Sequence, residues 1–341
     1  MPTFQSIRRG GKTLAAAGLA LACLLPVGAA SQPQVQPPLV QTVGRPVQAP
    51  ERRPEDLSAL LAPYGLAEGE REVLSARMEG DGLLLACLRR GELSRFDLSC
   101  LALPNGRPDR LERYRACREA SPELETAQVV MRVNMDLDRE FYVDPVVLED
   151  PAALDVLVNK YYALPQDYVP QLERLGNTYG SGSLRAEAAR AFREMADQAR
   201  EDGVTLRSVS AYRSYASQKS TYNRYLRQNS QKTTDTFSAR PGHSEHQTGL
   251  ALDINVASTR ARFEDTPAYA WLQEHCAQYG FILRYPQGKS EITGYRFEPW
   301  HYRYVGVEAA RVCMSQGLTY EEYLALQPVT PVQSALDETL I

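Results

Sequence analysis

The sequence predicts an α+β fold: a mainly antiparallel sheet with flanking helices, preceded by a small, mainly helical module. Three observations carry this. Leu184, Ala188, Ala191, Phe192, Met195 and Ala199 recur at helical spacing and make one apolar face. Residues 248–256 instead alternate with the period of two that marks a half-buried strand. Helical and strand-like segments then mix to residue 326 without regular strand–helix–strand alternation, which argues against a doubly wound parallel sheet.

The elements follow in chain order. Arg8, Arg9 and Lys12 precede an apolar stretch from Leu14 to Val27 and the small residues Gly28, Ala29 and Ala30. Residues 1–30 therefore read as a signal peptide cleaved after Ala30, the alternative being an uncleaved membrane anchor. A lipoprotein reading through Cys23 lacks the usual upstream leucine, and the Arg8-Arg9 pair lacks twin-arginine flanks. Residues 31–54 contain Pro33, Pro37, Pro38, Pro46, Pro50 and Pro54 among glutamines and read as an extended linker.

Residues 55–150 form the helical accessory module. Leu57, Leu60, Leu61 and Tyr64 sit at helical spacing, Leu83 to Leu88 is a short buried run, and Leu111 to Arg118 is another helical piece. Met131 to Leu137 alternates like a strand. Residues 151–326 form the main domain. There a helix ends near Gly203, a strand runs from Val204 to Ser210, and Ser214 caps a helix running toward Asn229. A polar loop over 228–244 leads to the strand at Thr248. Thr266-Pro267 opens a helix that Gly280 closes. Phe281 to Tyr285 and Tyr295 to Val305 read as strands, and Thr319-Tyr-Glu-Glu322 is a capping box. Residues 327–341 are a loose tail.

Composition narrows the function. The 341 residues are 43% apolar and 23% charged, which suits a folded protein with a sizeable core. With a formal charge of -4, a dominant nucleic-acid surface is not expected. Beyond the N-terminus no apolar run approaches the roughly 20 residues of a membrane helix, which excludes a polytopic membrane protein. The six cysteines contain no CxxC pair, which disfavours a zinc knuckle. Cys276 and Cys313 fall on helices of one domain, either as a disulfide or as two buried thiols.

There are four histidines, and two stand among other chemistry-bearing residues. In SEHQTGLALD, a strand places Leu250, Leu252 and Ile254 on one face and Ala251, Asp253 and Asn255 on the other. In FEPWH, a regular strand would turn Glu298 and His301 apart, but a bend at Pro299 brings them to one site. Two histidines and an aspartate leave an open position on a tetrahedral zinc, whose bound water ionises near neutral pH. A nearby glutamate can carry the proton. The bland alternative makes Asp253 and Glu298 surface carboxylates and the histidines local hydrogen-bonders.

The stretches SAYRSYASQ, SEHQTGLALD, FILRYPQGK and GYRFEPWHYRYVG, with LVNKYYALPQDYVP at the entrance, resemble the VanY-type D-alanyl-D-alanine carboxypeptidases. These belong to the zinc peptidase group that includes lysostaphin-type endopeptidases and the hedgehog domain. The resemblance covers residues 150–326 and implies a hedgehog/DD-peptidase-like fold binding one zinc ion. It puts zinc ligands on His246, Asp253 and His301 and the catalytic base on Glu298. It puts on Arg213 a guanidinium facing the scissile carbonyl and its oxyanion. Gln218, Ser244 and Tyr285 match positions that contact the substrate's terminal residue or carboxylate, and Trp300 shapes the pocket floor. A loop cap for Ser244 and an ordinary strand aromatic for Tyr285 are the alternatives. The resemblance gives His243 no metal role, and His275 reads as structural or exposed. Tyr212, Tyr215, Tyr222 and Tyr225 read as packing rather than as a sugar platform.

The implied activity is removal of the terminal D-alanine from peptidoglycan stem peptides in the bacterial envelope. The rivals are an L,D-carboxypeptidase acting on tetrapeptide stems and a non-catalytic wall-binding module. Intact Glu298 and Arg213 speak against the last, since binding alone requires neither.

Overall fold

The computed structural model describes residues 57–255 and 262–329. The expected signal peptide or anchor, the linker and most of the tail lie outside the described residues. All described residues belong to one compact unit that begins at Glu55.

Six helices come first: α1 (Leu57–Leu61), α2 (Glu68–Gly80), α3 (Gly82–Arg89), α4 (Arg95–Ala102), α5 (Leu111–Ala120) and α6 (Thr126–Asn134). Leu61, Leu74, Leu84, Leu88 and Leu98 share one apolar cluster, and Tyr114, Val129, Val130 and Val133 share a second. Two expectations are corrected here. Residues 83–88 are not buried throughout: they form α3, with Leu84 and Leu88 inward and Leu83 73% exposed. The alternation from Met131 to Leu137 is not a strand. Its first half belongs to α6, where Val129, Val130 and Val133 bury one helical face, and Glu125 and Gln128 close the N-terminus with reciprocal side-chain bonds. The period-two signal was the tail of a longer helical pattern.

Two small pairings follow: β1 (Val146–Val147) runs parallel to β2 (Tyr162–Ala163), and β3 (Glu173–Arg174) antiparallel to β4 (Ser183–Leu184). The remaining elements are α7 (Ala186–Glu201), β5 (Arg207–Ser210), α8 (Tyr215–Leu226), α9 (Gln231–Thr234), β6 (Ala251–Asn255), α10 (Pro267–His275), β7 (Phe281–Leu283), α11 (Ser290–Thr293), β8 (His301–Tyr304), α12 (Val307–Gln316) and α13 (Tyr320–Leu326). Strands β5, β6, β8 and β7 form, in that order, a four-stranded antiparallel sheet.

The sheet sorts its side chains by face. Leu250, Leu252, Ile254, Phe281, Leu283 and Tyr302 pack with the apolar face of α7 and with α10 in the main core. On the other face Ile282 joins α12 and α13 in a smaller core. Asp253 and His301 also stand opposite one another in the β6–β8 ladder, so they emerge side by side.

The expected strand from Tyr295 to Val305 shortens to β8. Pro299 has no amide hydrogen to give, and the chain turns there, with His301 N donating to Glu298 O at 3.1 Å. The polar loop over 228–244 contains the single turn α9, capped by Ser230. The expected caps at Ser214, Thr266 and Thr319 are all present, and Gly280 closes the α10 region at φ +79. Cys87, Cys100, Cys117, Cys276 and Cys313 are all free thiols, so Cys276 and Cys313 are buried thiols rather than a disulfide.

Candidate active site

His246 enters the site from a tight turn over Glu245–Thr248 that directly precedes β6. Gly249 ends the turn at φ +70, where a Cβ would lie 3.0 Å from Leu172 and 3.2 Å from Arg185. Only glycine meets both the left-handed backbone and the close packing. Gln247 ties the turn to the entrance segment by donating to Pro165 O at 2.9 Å.

His246, Asp253 and His301 each present one donor atom, and the three atoms lie within 4.8 Å of one another. Asp253 Oδ1 is 3.1 Å from His301 Nδ1 and 3.5 Å from His246 Nε2. Ligands 2.0–2.1 Å from a tetrahedral zinc stand roughly 3.3 Å apart, so the donor set fits that ion. The two imidazoles meet edge to face at 89°. His246 Nδ1 lies 2.7 Å from Ala211 O, so with the proton there Nε2 is left with a free lone pair.

Electrostatics agree with a cation site. Burial opposes ionisation of Asp253, but His246 and then His301 outweigh it and hold the carboxyl well below its usual range. Burial also pulls His246 down. It acts the same way on His301, but hydrogen bonds to Asp253 and Glu245 push that imidazole up to about 9.

The other expected residues surround this cluster in a cleft of about 290 Å³, lined among others by Arg213, Gln218, Ser244, Tyr285, Glu298 and Trp300. Glu298 is 9% exposed, and burial pushes its carboxyl up to about 7. Arg213 is anchored on three sides: Nη1 donates to Gln218 Oε1 at 2.9 Å, Nη2 donates to Ser210 Oγ at 2.8 Å, and Asp253 Oδ2 lies 3.8 Å away. The register shift between Ser208 and Ser210 sets Ser210 opposite Asp253. Gln218 spends its amide on Ala239 O at 2.7 Å, so it orients Arg213 from the cleft wall. Ser244 makes no side-chain cap, so the loop-cap alternative does not apply. Tyr285 lies against His301 with ring centroids 4.9 Å apart, and burial raises its hydroxyl well above the usual range.

The remaining histidines stay outside the cluster. His243 Nδ1 lies 2.8 Å from Asn159 O, and its ring meets Tyr142 edge to face. His275 leans on Trp271. Of the helical tyrosines, Tyr222 is buried with its hydroxyl on Asp235, while Tyr225 lines the cleft against Phe237.

Four further residues give no clear sign in the sequence. Glu245 is 1% exposed and reaches His301. Lys160 is buried among the rings of Phe141, Tyr142 and Tyr295, and burial lowers its ammonium to about 8. Arg224 and Arg296 line the outer cleft over Tyr225 and Phe237. The one available signal was the position of Glu245 directly before His246, which a loop assignment hides.

Comparison with known proteins gives the family to which the chain is related. The family model described as VanY: D-alanyl-D-alanine carboxypeptidase matches residues 181–307. The Bacillus subtilis (strain 168) protein YodJ, named as a carboxypeptidase, is 40% identical over 191 residues, 52% of this chain and 68% of its own. The D-alanyl-D-alanine carboxypeptidase of Enterococcus faecalis (strain ATCC 700802 / V583) is 38% identical over 178 residues, 50% of this chain and 65% of its own. Among solved structures, the LdcB LD-carboxypeptidase, described for its recognition of peptidoglycan, is similar at 40% identity and a TM-score of 0.50. That match covers 53% of this chain and 90% of the LdcB chain. The chain belongs to the VanY family of D-alanyl-D-alanine carboxypeptidases. About half of it is matched by these relatives.

Proposed function

We propose that this protein is a zinc-dependent D,D-carboxypeptidase that removes the C-terminal D-alanine from peptidoglycan stem peptides. The observation that carries the reading is the convergence of His246, Asp253 and His301 on one point beside Glu298 and Arg213. Family membership supports the reaction class, and the donor set supports zinc, one ion per chain.

Zinc bound there would supply a Lewis acid that polarises the scissile carbonyl and makes water nucleophilic at neutral pH. Glu298, as the carboxylate, takes the proton of the attacking water and returns it to the leaving D-alanine amine. Its elevated proton affinity suits both halves of that task. Arg213 offers a fixed guanidinium where negative charge develops on the carbonyl oxygen, and Gln218 and Ser210 hold it in place before substrate arrives. Ser244 and Tyr285 contact the substrate's terminal residue, and Trp300 forms the floor.

The N-terminal segment is proposed to export the chain, as a cleaved signal peptide or as an anchor, so that it acts at the envelope. Among the described residues no helix is long and apolar enough to cross a membrane. Residues 55–150 are proposed as an accessory module and 151–326 as the catalytic domain.

A second reading is favoured by the likeness to LdcB: an L,D-carboxypeptidase acting on tetrapeptide stems. Mass spectrometry of pentapeptide and tetrapeptide stems, offered separately to the zinc-loaded protein, decides. The proposal expects one D-alanine lost from the pentapeptide and the tetrapeptide left intact. The reverse pattern establishes the L,D activity. No loss from either sinks both.

A further inference from the structure

His301 differs from His246 in which ring nitrogen faces the donor cluster. Its Nδ1 points to Asp253, while its Nε2 lies 3.3 Å from Glu245 Oε2. The other oxygen of Glu245 accepts from Arg284 Nε at 2.8 Å and from Arg303 Nη1 at 3.0 Å. Arg284 turns its two terminal nitrogens to Glu321, at 2.8 and 2.7 Å. The side chains of Arg284, Arg303 and Glu245 are wholly buried, and that of Glu321 is 1% exposed.

The two carboxylates and two guanidinium groups balance in charge. Burying four ions is costly, and replacing such a group by apolar residues is often neutral or stabilising, so stability alone gives little reason for the network. Specific geometry is a better reason. Glu245 is locked by two arginines, neither of which can lose its proton, so it faces His301 as a fixed acceptor. Such an acceptor holds the imidazole proton on Nε2 and leaves the Nδ1 lone pair for a metal.

We infer that Glu245 is a positioning residue: held by Arg284 and Arg303, it fixes the ring and tautomer of His301 so that Nδ1 is presented to the metal. The inference rests on the metal reading above. The network reaches past residue 307, where the family match ends, because Arg284 is itself held by Glu321 on α13. The C-terminal helix therefore braces the network structurally, a part distinct from the hold of Glu245 on His301.

The test uses the full chain, wild type, Glu245→Gln and Glu321→Gln. Zinc affinity is measured by chelator competition and thermal stability by melting. Nitrogen-15 spectra of the histidine rings in the zinc-loaded wild type report which nitrogen carries the proton. We expect His301 bound through Nδ1 and protonated on Nε2, with His246 the other way round. We expect Glu245→Gln to lose about 10- to 100-fold in zinc affinity. Glu321→Gln should melt lower but keep its affinity within about twofold. Equal losses of affinity in the two variants would make the network merely structural and overturn the inference. So would zinc on Nε2 of His301, a result readable even if Glu245→Gln does not fold. A wild type that binds no zinc would instead overturn the metal reading, and the inference with it.

Discussion

Glu298 is where burial and chemistry pull hardest against each other. A carboxyl at about 7 binds more protons folded than unfolded through the window from about 4.5, the ordinary value, to about 7. In the metal-free protein its contribution to stability therefore falls as pH rises through that window and is lowest above it. Glu298→Gln removes this penalty. At pH 8 the metal-free variant should be more stable than metal-free wild type, by at most about 3–4 kcal/mol, and so melt higher, and the gap should close toward pH 4.5. The same variant should keep zinc and lose roughly 10²–10⁴ in kcat, as expected for loss of a general base. Paired melting curves, metal analysis and turnover on one preparation check all three. Unchanged turnover would assign the proton transfer to another group.

At the scale of elements, the site is made by register. Asp253 and His301 pair across β6 and β8, and the turn at Pro299 brings Glu298 round to them. Much of this was legible. The strand period put Asp253 opposite the leucine face, and the proline predicted the bend. The family resemblance carried by the motifs points to Arg213, His246, Glu298 and His301. The turn carrying His246 makes a prediction of its own. Gly249→Ala puts a Cβ at a left-handed position against Leu172 and Arg185, and should cost about 1–3 kcal/mol of stability. Because the turn presents His246, zinc affinity should fall as well. A melting point and an affinity both equal to wild type would show that the turn does not constrain the ligand. Local periodicity failed at Met131 to Leu137, where a short window caught the end of a helix, and at Leu83, where an apolar side chain faces solvent. It also could not find the partners of Glu245. Arg284 and Arg303 lie far along the chain, and a glutamate in a polar turn gives no local sign of burial.

Across the whole molecule, the described residues form one unit in which the helical segment meets the later elements at α13, where Asn105 donates to Ala325 O at 2.9 Å and Asn134 at 3.4 Å, and at Tyr142, whose hydroxyl lies 3.1 Å from that of Tyr295. The layer order of the sheet was not readable from sequence, because the pairing of β5 with β6 and of β8 with β7 is set by packing on α7 and α12. The class of the molecule was readable, because its chemistry is concentrated in short motifs. Action on a free C-terminus through Glu298 is tested by offering the zinc-loaded protein one pentapeptide stem as the free acid and as the C-terminal amide, and following alanine release by mass spectrometry. Wild type should release D-alanine from the acid and leave the amide essentially uncut, and Glu298→Gln should release it from the acid at least about 10²-fold more slowly. Equal cleavage of acid and amide by wild type, or undiminished release by Glu298→Gln, would contradict this mechanism.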